Sequence, residues 1–171
     1  MNKRLISLLM AFVMVMGILV MPFSALAEGE KTTESVTVHK MLLKAENAAK
    51  FGKDGKQVGL DGTKYDGNQI QNMEGYFGAE QKQIAGVYFV WQKQVKPLVN
   101  PNDEKDDKNW KYVKADGTDA TGVDDAFGKL TTEDGVKFDT TKLPAGKYRI
   151  QEVKEKSTYK GENGKTLTGM Y

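Results

Sequence analysis

Residues 35–43 alternate with a period of two and predict a β-strand. One face of this strand carries Val36, Val38, Lys40 and Leu42, so a lysine stands where the pattern calls for an apolar residue. Either the Lys40 side chain extends along the apolar surface until its ammonium reaches water, or the amine is buried for a chemical reason. An unpaired buried ammonium is too costly to keep charged. The function of the chain depends on which of these holds.

The first 27 residues predict a secretory signal peptide. A basic start and an apolar run over residues 5–20 precede a small-x-small site that ends at Ala27, directly before Glu28. The alternative is a membrane anchor, for which the apolar run is barely long enough. Cleavage between Ala27 and Glu28 would leave residues 28–171 as one secreted domain, which is long enough to bury a core.

Charge and cysteine content narrow the class of protein. The signal peptide holds Lys3 and Arg4 and no acidic residue, so its removal reduces 25 basic residues to 23, which balance the 23 acidic ones. A neutral domain suggests neither a nucleic-acid partner nor an anionic membrane surface. The chain has no cysteine. An exported domain without disulfides depends on its core, on a metal or on another kind of crosslink for stability.

The rest of the chain predicts an all-β domain with one short side helix. Asp66 can cap a helix over about residues 66–77, with Ile70, Met73 and Phe77 on one side. Residues 84–91 are β-branched and aromatic and predict a central strand. Further strands are expected at residues 110–113, at 131–138 around an Asp134-Gly135 turn, and at 147–153.

Two further segments are expected to lack regular structure or to be incomplete. Residues 45–64 are rich in Gly, Lys and Asp and predict an irregular insertion, and residues 97–108 predict a charged loop. The turn at residues 162–165 suits a hairpin whose second arm has only begun at Tyr171. The chain is therefore expected to be a fragment that lacks at least the last strand of its domain.

The predicted strand at 147–153 places Glu152 on the same face as Tyr148 and Ile150. If Glu152 met Lys40 in the core, burial would favour a neutral amine beside a protonated acid. Such an amine can attack the carboxamide of a nearby asparagine while the acid moves protons, which yields an isopeptide bond and ammonia. An ordinary ion pair between Lys40 and Glu152 is the alternative.

Other catalytic or metal sites find little support. The chain has no cysteine, which excludes a thiol nucleophile, and one histidine, His39, which excludes a His-rich metal site. His39 lies on the strand face opposite to Lys40 and is interpreted as a structural residue, so no catalytic triad is expected. Loop aspartates could offer oxygen ligands to calcium, but they match no calcium-loop pattern and are interpreted as solvated loop acids. They are Asp103, Asp106, Asp107, Asp116, Asp119, Asp124 and Asp125. No cofactor and no metal are expected, and the sequence contains no phosphate loop or dinucleotide fingerprint.

Four short pieces, in this order after a signal peptide, resemble one family. They are SVTVHK at residues 35–40, IAGVYFVW at 84–91, LPAGKYRIQE at 143–152 and STY at 157–159. They are similar to the N-terminal domain of the major (backbone) pilins of Gram-positive, sortase-assembled pili. The resemblance implies an immunoglobulin-like β-sandwich related to the B-type (CnaB-like) repeats of collagen adhesins. It also implies a cell-wall pilus shaft in which a sortase joins the subunits covalently.

By the same resemblance, Lys40 matches the lysine that donates the amine of an intradomain isopeptide bond. Glu152 matches the glutamate that promotes such bonds. The family's acceptor asparagine, its Tyr-Pro-Lys-Asn-like pilin motif and its LPxTG-like sorting signal do not occur in these 171 residues. Residues 143–146 read Leu-Pro-Ala-Gly but are not that sorting signal, because no apolar tail follows them.

The sequence thus predicts a structural, non-enzymatic pilin domain whose partners are other pilin subunits, a sortase and host surface proteins. A rival interpretation is a ligand-binding adhesin or minor pilin that recognises host matrix. Trp91 or the segment 45–83 would then supply the recognition surface. A secreted enzyme is the third hypothesis, which the poor inventory of catalytic groups disfavours.

Overall fold

A computed structural model of the protein describes residues 11–14, 34–48, 50, 58–66, 68–161, 164 and 166. The predicted cleavage site at Ala27 and Glu28, and most of the predicted turn at 162–165, lie outside these residues. The strands are β1 (Ala11–Met14), β2 (Ser35–Leu42), β3 (Lys82–Gln83), β4 (Tyr88–Gln94), β5 (Trp110–Tyr112), β6 (Gly128–Leu130), β7 (Val136–Asp139) and β8 (Tyr148–Glu152). The helices are α1 (Ala45–Ala48), α2 (Met73–Phe77) and two 3-10 helices at Asp107–Asn109 and Lys154–Lys156.

The strands form two four-stranded antiparallel sheets, each built around one long strand. In the first sheet β2 pairs with β1, β3 and β7. In the second sheet β4 pairs with β8 over residues 89–93. It also pairs with β6 over residues 88–90 and with β5 over residues 92–94. The predicted all-β sandwich is confirmed, and β4 is central as its apolar sequence predicts.

The core lies between the two sheets. Val36 and Val38 of β2 and Phe138 of β7 face Phe89 and Trp91 of β4. Trp91 contacts Phe138 edge to face, with ring centroids 5.9 Å apart, and stacks on Phe127. Such aromatic packing stabilises a domain without disulfides through apolar burial and ring contacts.

The side helix is shorter than predicted and begins at a different residue. Asn72, not Asp66, caps α2, because its side chain accepts a hydrogen bond of 2.9 Å from the Gly75 amide. The Asp66 side chain instead accepts the amide hydrogen of Asn68, which forms a turn. The predicted helix at 66–77 is therefore wrong over its first two turns.

Helix α2 covers the face of β2 that points away from the main core. Met41 and Leu43 contact Tyr76 and Phe77 there in a second buried apolar cluster. Lys40 points to the other face of β2, towards the main core, because side chains alternate along a strand. Both faces of this end of β2 are thus shielded from water. Helix α1 lies in residues 45–64, for which the sequence predicts no regular structure.

The start of β4 also differs from the prediction. The sequence predicts a strand from residue 84, but β4 begins at Tyr88. Gly86 has a φ of +80°, which interrupts an extended chain. The Thr131 hydroxyl accepts the Val87 amide hydrogen at 3.0 Å and donates to the Ile84 carbonyl at 2.9 Å. The Thr131 backbone also bonds this segment, through Gly86 N–H to the Thr131 carbonyl and Thr131 N–H to the Val87 carbonyl, each at 2.8 Å. The Thr131 side chain therefore adds to backbone pairing in holding residues 84–87.

Replacing Thr131 with Val should destabilise the domain by about 1–3 kcal/mol, because a buried N–H and a buried carbonyl lose their partner. Thr131→Ser keeps the hydroxyl and is the matched control. Urea unfolding of both variants checks this. Equal stability of Thr131→Val and the unmodified chain would show that the hydroxyl does not hold this segment.

The remaining predicted strands are found with small shifts. β5 and β8 lie at the expected positions. Of the strand predicted at 131–138, only residues 136–138 are extended, as part of β7 in the first sheet. β6 of the second sheet ends at Leu130, just before the predicted start, so the chain crosses between the sheets at this turn. Gly135 in the turn has a φ of +82°. In the described ranges, none of the helices is long and apolar enough to cross a membrane.

Strand β1 lies within the predicted signal peptide. It pairs with β2 in an antiparallel register that sets Val13 opposite Lys40. Cleavage after Ala27 would remove this strand from the edge of β2 beside Lys40. Exposed backbone groups at a strand edge readily accept another strand.

Candidate functional site

Lys40 and Glu152 meet between the two sheets. The Lys40 Nζ lies 2.6 Å from the Glu152 Oε2, although 112 residues separate them in the chain. The Lys40 side chain is fully buried and the Glu152 side chain is 10% exposed. The interpretation in which the Lys40 ammonium reaches water is therefore wrong. The structure brings together the two residues that the strand patterns set apart as anomalous.

The sheet registers explain this meeting. Glu152 is the last residue of β8 and stands directly opposite Phe89 of β4, so both side chains share the core face of the second sheet. Lys40 follows Val36 and Val38 on the core face of β2 in the first sheet. Facing positions of a sandwich place their side chains in contact across the core.

Burial makes the Lys40 amine less basic. Loss of solvent around Lys40 lowers its pKa below the ordinary value of 10.5. The hydrogen bond and the charge of Glu152 oppose this decrease, and the nearby positive charge of Lys154 adds to it. The neutral amine, which is the nucleophilic form, is thus easier to reach here than on an exposed lysine.

One oxygen of the glutamate is left without a partner. The Glu152 Oε2 accepts from Lys40, whereas the Glu152 Oε1 is buried and has no hydrogen bond. A buried carboxyl oxygen is normally hydrogen-bonded. The Glu152 Oε1 is therefore available to hydrogen-bond a further polar group that approaches the Lys40 amine. The sequence pattern gives no reason to select Lys154, whose positive charge lowers the pKa of Lys40. The one sequence feature that links Lys154 to the site is its position two residues after Glu152.

The other candidate residues have structural partners. The His39 Nδ1 lies 2.6 Å from the Gln83 Oε1, on the face of β2 opposite to Lys40. Several loop aspartates accept backbone amide hydrogens of their own turns, such as Asp106 from Lys108 and Asp116 from Thr118. Across the described residues, no group of three or more His, Asp or Glu side chains could hold a metal ion.

Trp91 is not a recognition surface. It is only 6% exposed and packs against Phe127, Phe138 and Tyr148 in the core. The adhesin interpretation loses this candidate, because a buried indole cannot contact a ligand without unfolding. The described part of the other candidate, the segment 45–83, contains α1, α2 and β3.

Comparison with known proteins places the chain in one family. Residues 31–169 match the family model described as Gram-positive pilin subunit D1, N-terminal domain. No curated protein matches the chain.

Solved structures with sequence similarity come from a pneumococcal pilin. The solution structure of the RrgB pilus backbone D1 domain from Streptococcus pneumoniae is 32% identical, with a TM-score of 0.49; the match covers 85% of this chain and 77% of that one. The full-length major pilin RrgB from the same organism is 32% identical, with a TM-score of 0.46; the match covers 81% of this chain. The chain spans about a fifth (21%) of that full-length pilin.

The family model covers most of the chain and includes both strands that carry the buried Lys40–Glu152 pair. The chain therefore belongs to the family of Gram-positive pilin subunit D1, N-terminal domains.

Proposed function

We propose that this chain is the N-terminal domain of a backbone pilin, a structural subunit of a surface pilus shaft that a sortase polymerises. We further propose that Lys40 forms an intramolecular isopeptide bond and that Glu152 promotes it. The observation that carries the second proposal is the 2.6 Å contact between two buried side chains, Lys40 and Glu152, in the core of a domain without cysteine.

The proposed reaction replaces one amide by another. The neutral Lys40 Nζ attacks the carboxamide carbon of an asparagine side chain, a new C–N bond forms, and the bond to the original amide nitrogen breaks. Acting as the acid, Glu152 polarises the carbonyl and gives a proton to the departing nitrogen, and it regains a proton from the Lys40 nitrogen. Ammonia leaves, and Glu152 ends in its starting state.

Burial supports the reaction in two ways. It lowers the pKa of Lys40 and so makes the attacking form accessible. It also holds the amine and the acid in contact, so that proximity replaces a collision between free groups. The unpartnered Glu152 Oε1 can donate to or accept from the incoming carboxamide.

The acceptor asparagine is assigned to a segment of the protein beyond these 171 residues. Among the described asparagines, Asn109 is fully buried, but its amide nitrogen donates to the carbonyls of Asn100 and Asp103 and so serves a loop.

The shaft function predicts covalent polymers on the cell wall. Wall extracts probed with an antibody against residues 34–161 should show a ladder of species that resist boiling in detergent. Deletion of the pilus-associated sortase should collapse the ladder to the single subunit, because the joints between subunits would not form. A single subunit-sized band in the wild-type cells would contradict the shaft function.

The adhesin alternative makes a different prediction. A minor pilin or matrix-binding domain would be present at low copy number, either within the covalent polymers or separate from them. The isolated domain would bind host matrix protein. Since Trp91 is buried, such binding would have to come from other surface residues.

A further inference from the structure

A cavity with a positive lining lies at the end of β4 that is remote from Glu152. Glu152 pairs with Phe89 near the start of β4, whereas Lys93 and Gln94 of this cavity end the strand. Its volume is about 410 Å³. Its charged and amide-bearing lining residues are Lys93, Gln94, Lys96, Lys111, Asp119 and Lys147. We refer to it as the cationic cavity.

The lysines of the cationic cavity are only partly neutralised. Lys147 pairs with Glu104 at 2.6 Å, and Lys111 has a long contact of 3.4 Å with Asp119. Lys93 and Lys96 have no carboxylate within 4.0 Å among the residues that the structure describes. The Lys93 ammonium lies over the Tyr148 ring, 5.9 Å from its centroid, which leaves its charge unneutralised. Lys93 and Lys96 can thus both attract an anion into the cavity.

A buried hydrogen-bond donor adds to this charge. The side-chain nitrogen Nε2 of Gln94 is buried and has no hydrogen-bond partner. Buried amide donors are normally paired, so this one indicates a missing acceptor. A ligand that brings oxygen acceptors with negative charge would satisfy Gln94 and pair with Lys93 and Lys96 at the same time.

The walls of the cationic cavity are fixed by contacts on both sides. The Tyr148 hydroxyl donates to the Pro144 carbonyl at 2.8 Å and holds the turn before Lys147. The Gln94 backbone amide donates to the Lys147 carbonyl at 2.9 Å, and Lys93 of β4 stands opposite Lys111 of β5. A wall that is ordered before binding reduces the entropy lost when a ligand is held.

We propose that the cationic cavity binds an acidic peptide segment of another protein, whose carboxylates contact Lys93 and Lys96 and accept from Gln94. The cavity is at the small end of ligand pockets and has no aromatic side chain in its lining, so it offers no apolar platform for a sugar ring. Its lysine ammonium groups and the Gln94 amide nitrogen suit carboxylate oxygens instead.

Isothermal titration calorimetry of the full chain with hexaglutamate tests this proposal. We expect binding that weakens with added salt and is absent for hexaglutamine. The double variant Lys93→Gln, Lys96→Gln should lose about tenfold in affinity, since two charge contacts of modest strength disappear. Lys137→Gln, on an exposed position of β7 in the other sheet, is the matched control and should bind as the unmodified chain does.

The single variant Lys96→Glu provides a second test, because Lys96 is exposed and its reversal of charge leaves the core untouched. It should also weaken hexaglutamate binding. The proposal is overturned if no binding occurs, or if Lys137→Gln weakens binding as much as the cavity variants. It is also overturned if oligogalacturonate or inorganic phosphate binds the cavity more tightly than the peptide.

Discussion

Replacing Glu152 with Leu in the 171-residue chain is expected to destabilise the domain by about 3–5 kcal/mol, because it leaves the fully buried Lys40 without its partner. The energetic cost comes from the lysine that remains rather than from the glutamate that is lost. Urea unfolding followed by tryptophan fluorescence measures the change in the free energy of unfolding.

The double variant Lys40→Met, Glu152→Leu separates this effect from poor packing. Replacing both members of a buried ion pair by apolar side chains of similar size is often neutral or stabilising. The double variant should therefore recover most of the stability that Glu152→Leu loses. Failure to recover would show that shape, not charge, governs this position.

The exposed pair of Lys44 and Glu80 is the matched control. Its nitrogen and oxygen also lie 2.6 Å apart, but the Glu80 side chain is 71% exposed. Glu80→Leu should leave the unfolding midpoint unchanged, since water replaces the lost contact. Equal losses in the free energy of unfolding for Glu80→Leu and Glu152→Leu would show that burial of the Lys40–Glu152 pair does not affect stability.

The pH dependence of Glu152→Leu has a defined sign. Burial lowers the pKa of Lys40, so the unfolded chain binds more protons at this residue than the folded chain just below 10.5. Stability then rises with pH in that window, because the charged amine is disfavoured only in the folded state. The loss caused by Glu152→Leu should shrink as the pH approaches 10.5.

The sequence reveals the candidate site because both of its residues break a strand pattern. Lys40 interrupts an apolar face after Val36 and Val38, and Glu152 does so after Tyr148 and Ile150. Period-two alternation is local and visible in the sequence. The distance between the two residues depends on how the two sheets pack, which no local pattern contains.

The errors in the fold have the same origin. The start of β4 depends on Thr131, which lies 44 residues from Val87 and bonds its amide. Asp66 and Asn72 are both suitable helix caps. The backbone after each residue decides between them: the Asp66 side chain accepts from the Asn68 amide in a turn, and the Asn72 side chain accepts from the Gly75 amide at the start of α2. The burial of Trp91 depends on rings from three other segments. Such long-range contacts override local propensity.

The second large effect concerns the crosslink itself. In the full-length protein, Lys40→Arg should abolish the isopeptide bond entirely, because a guanidinium stays protonated and cannot act as the nucleophile. Lys44→Arg changes an exposed lysine four residues away and should leave the bond intact. Glu152→Gln keeps the size of the side chain but cannot move protons, so crosslinking should slow by about 100-fold or more.

Peptide mass spectrometry of digested pili tests the central claim most directly. The account predicts a branched peptide in which Lys40 is joined to an asparagine side chain, lighter than its two separate parts by one ammonia. The same branched peptide should be missing from pili of the Lys40→Arg variant. Polymerised pili in which Lys40 is recovered as an unmodified side chain would contradict the account.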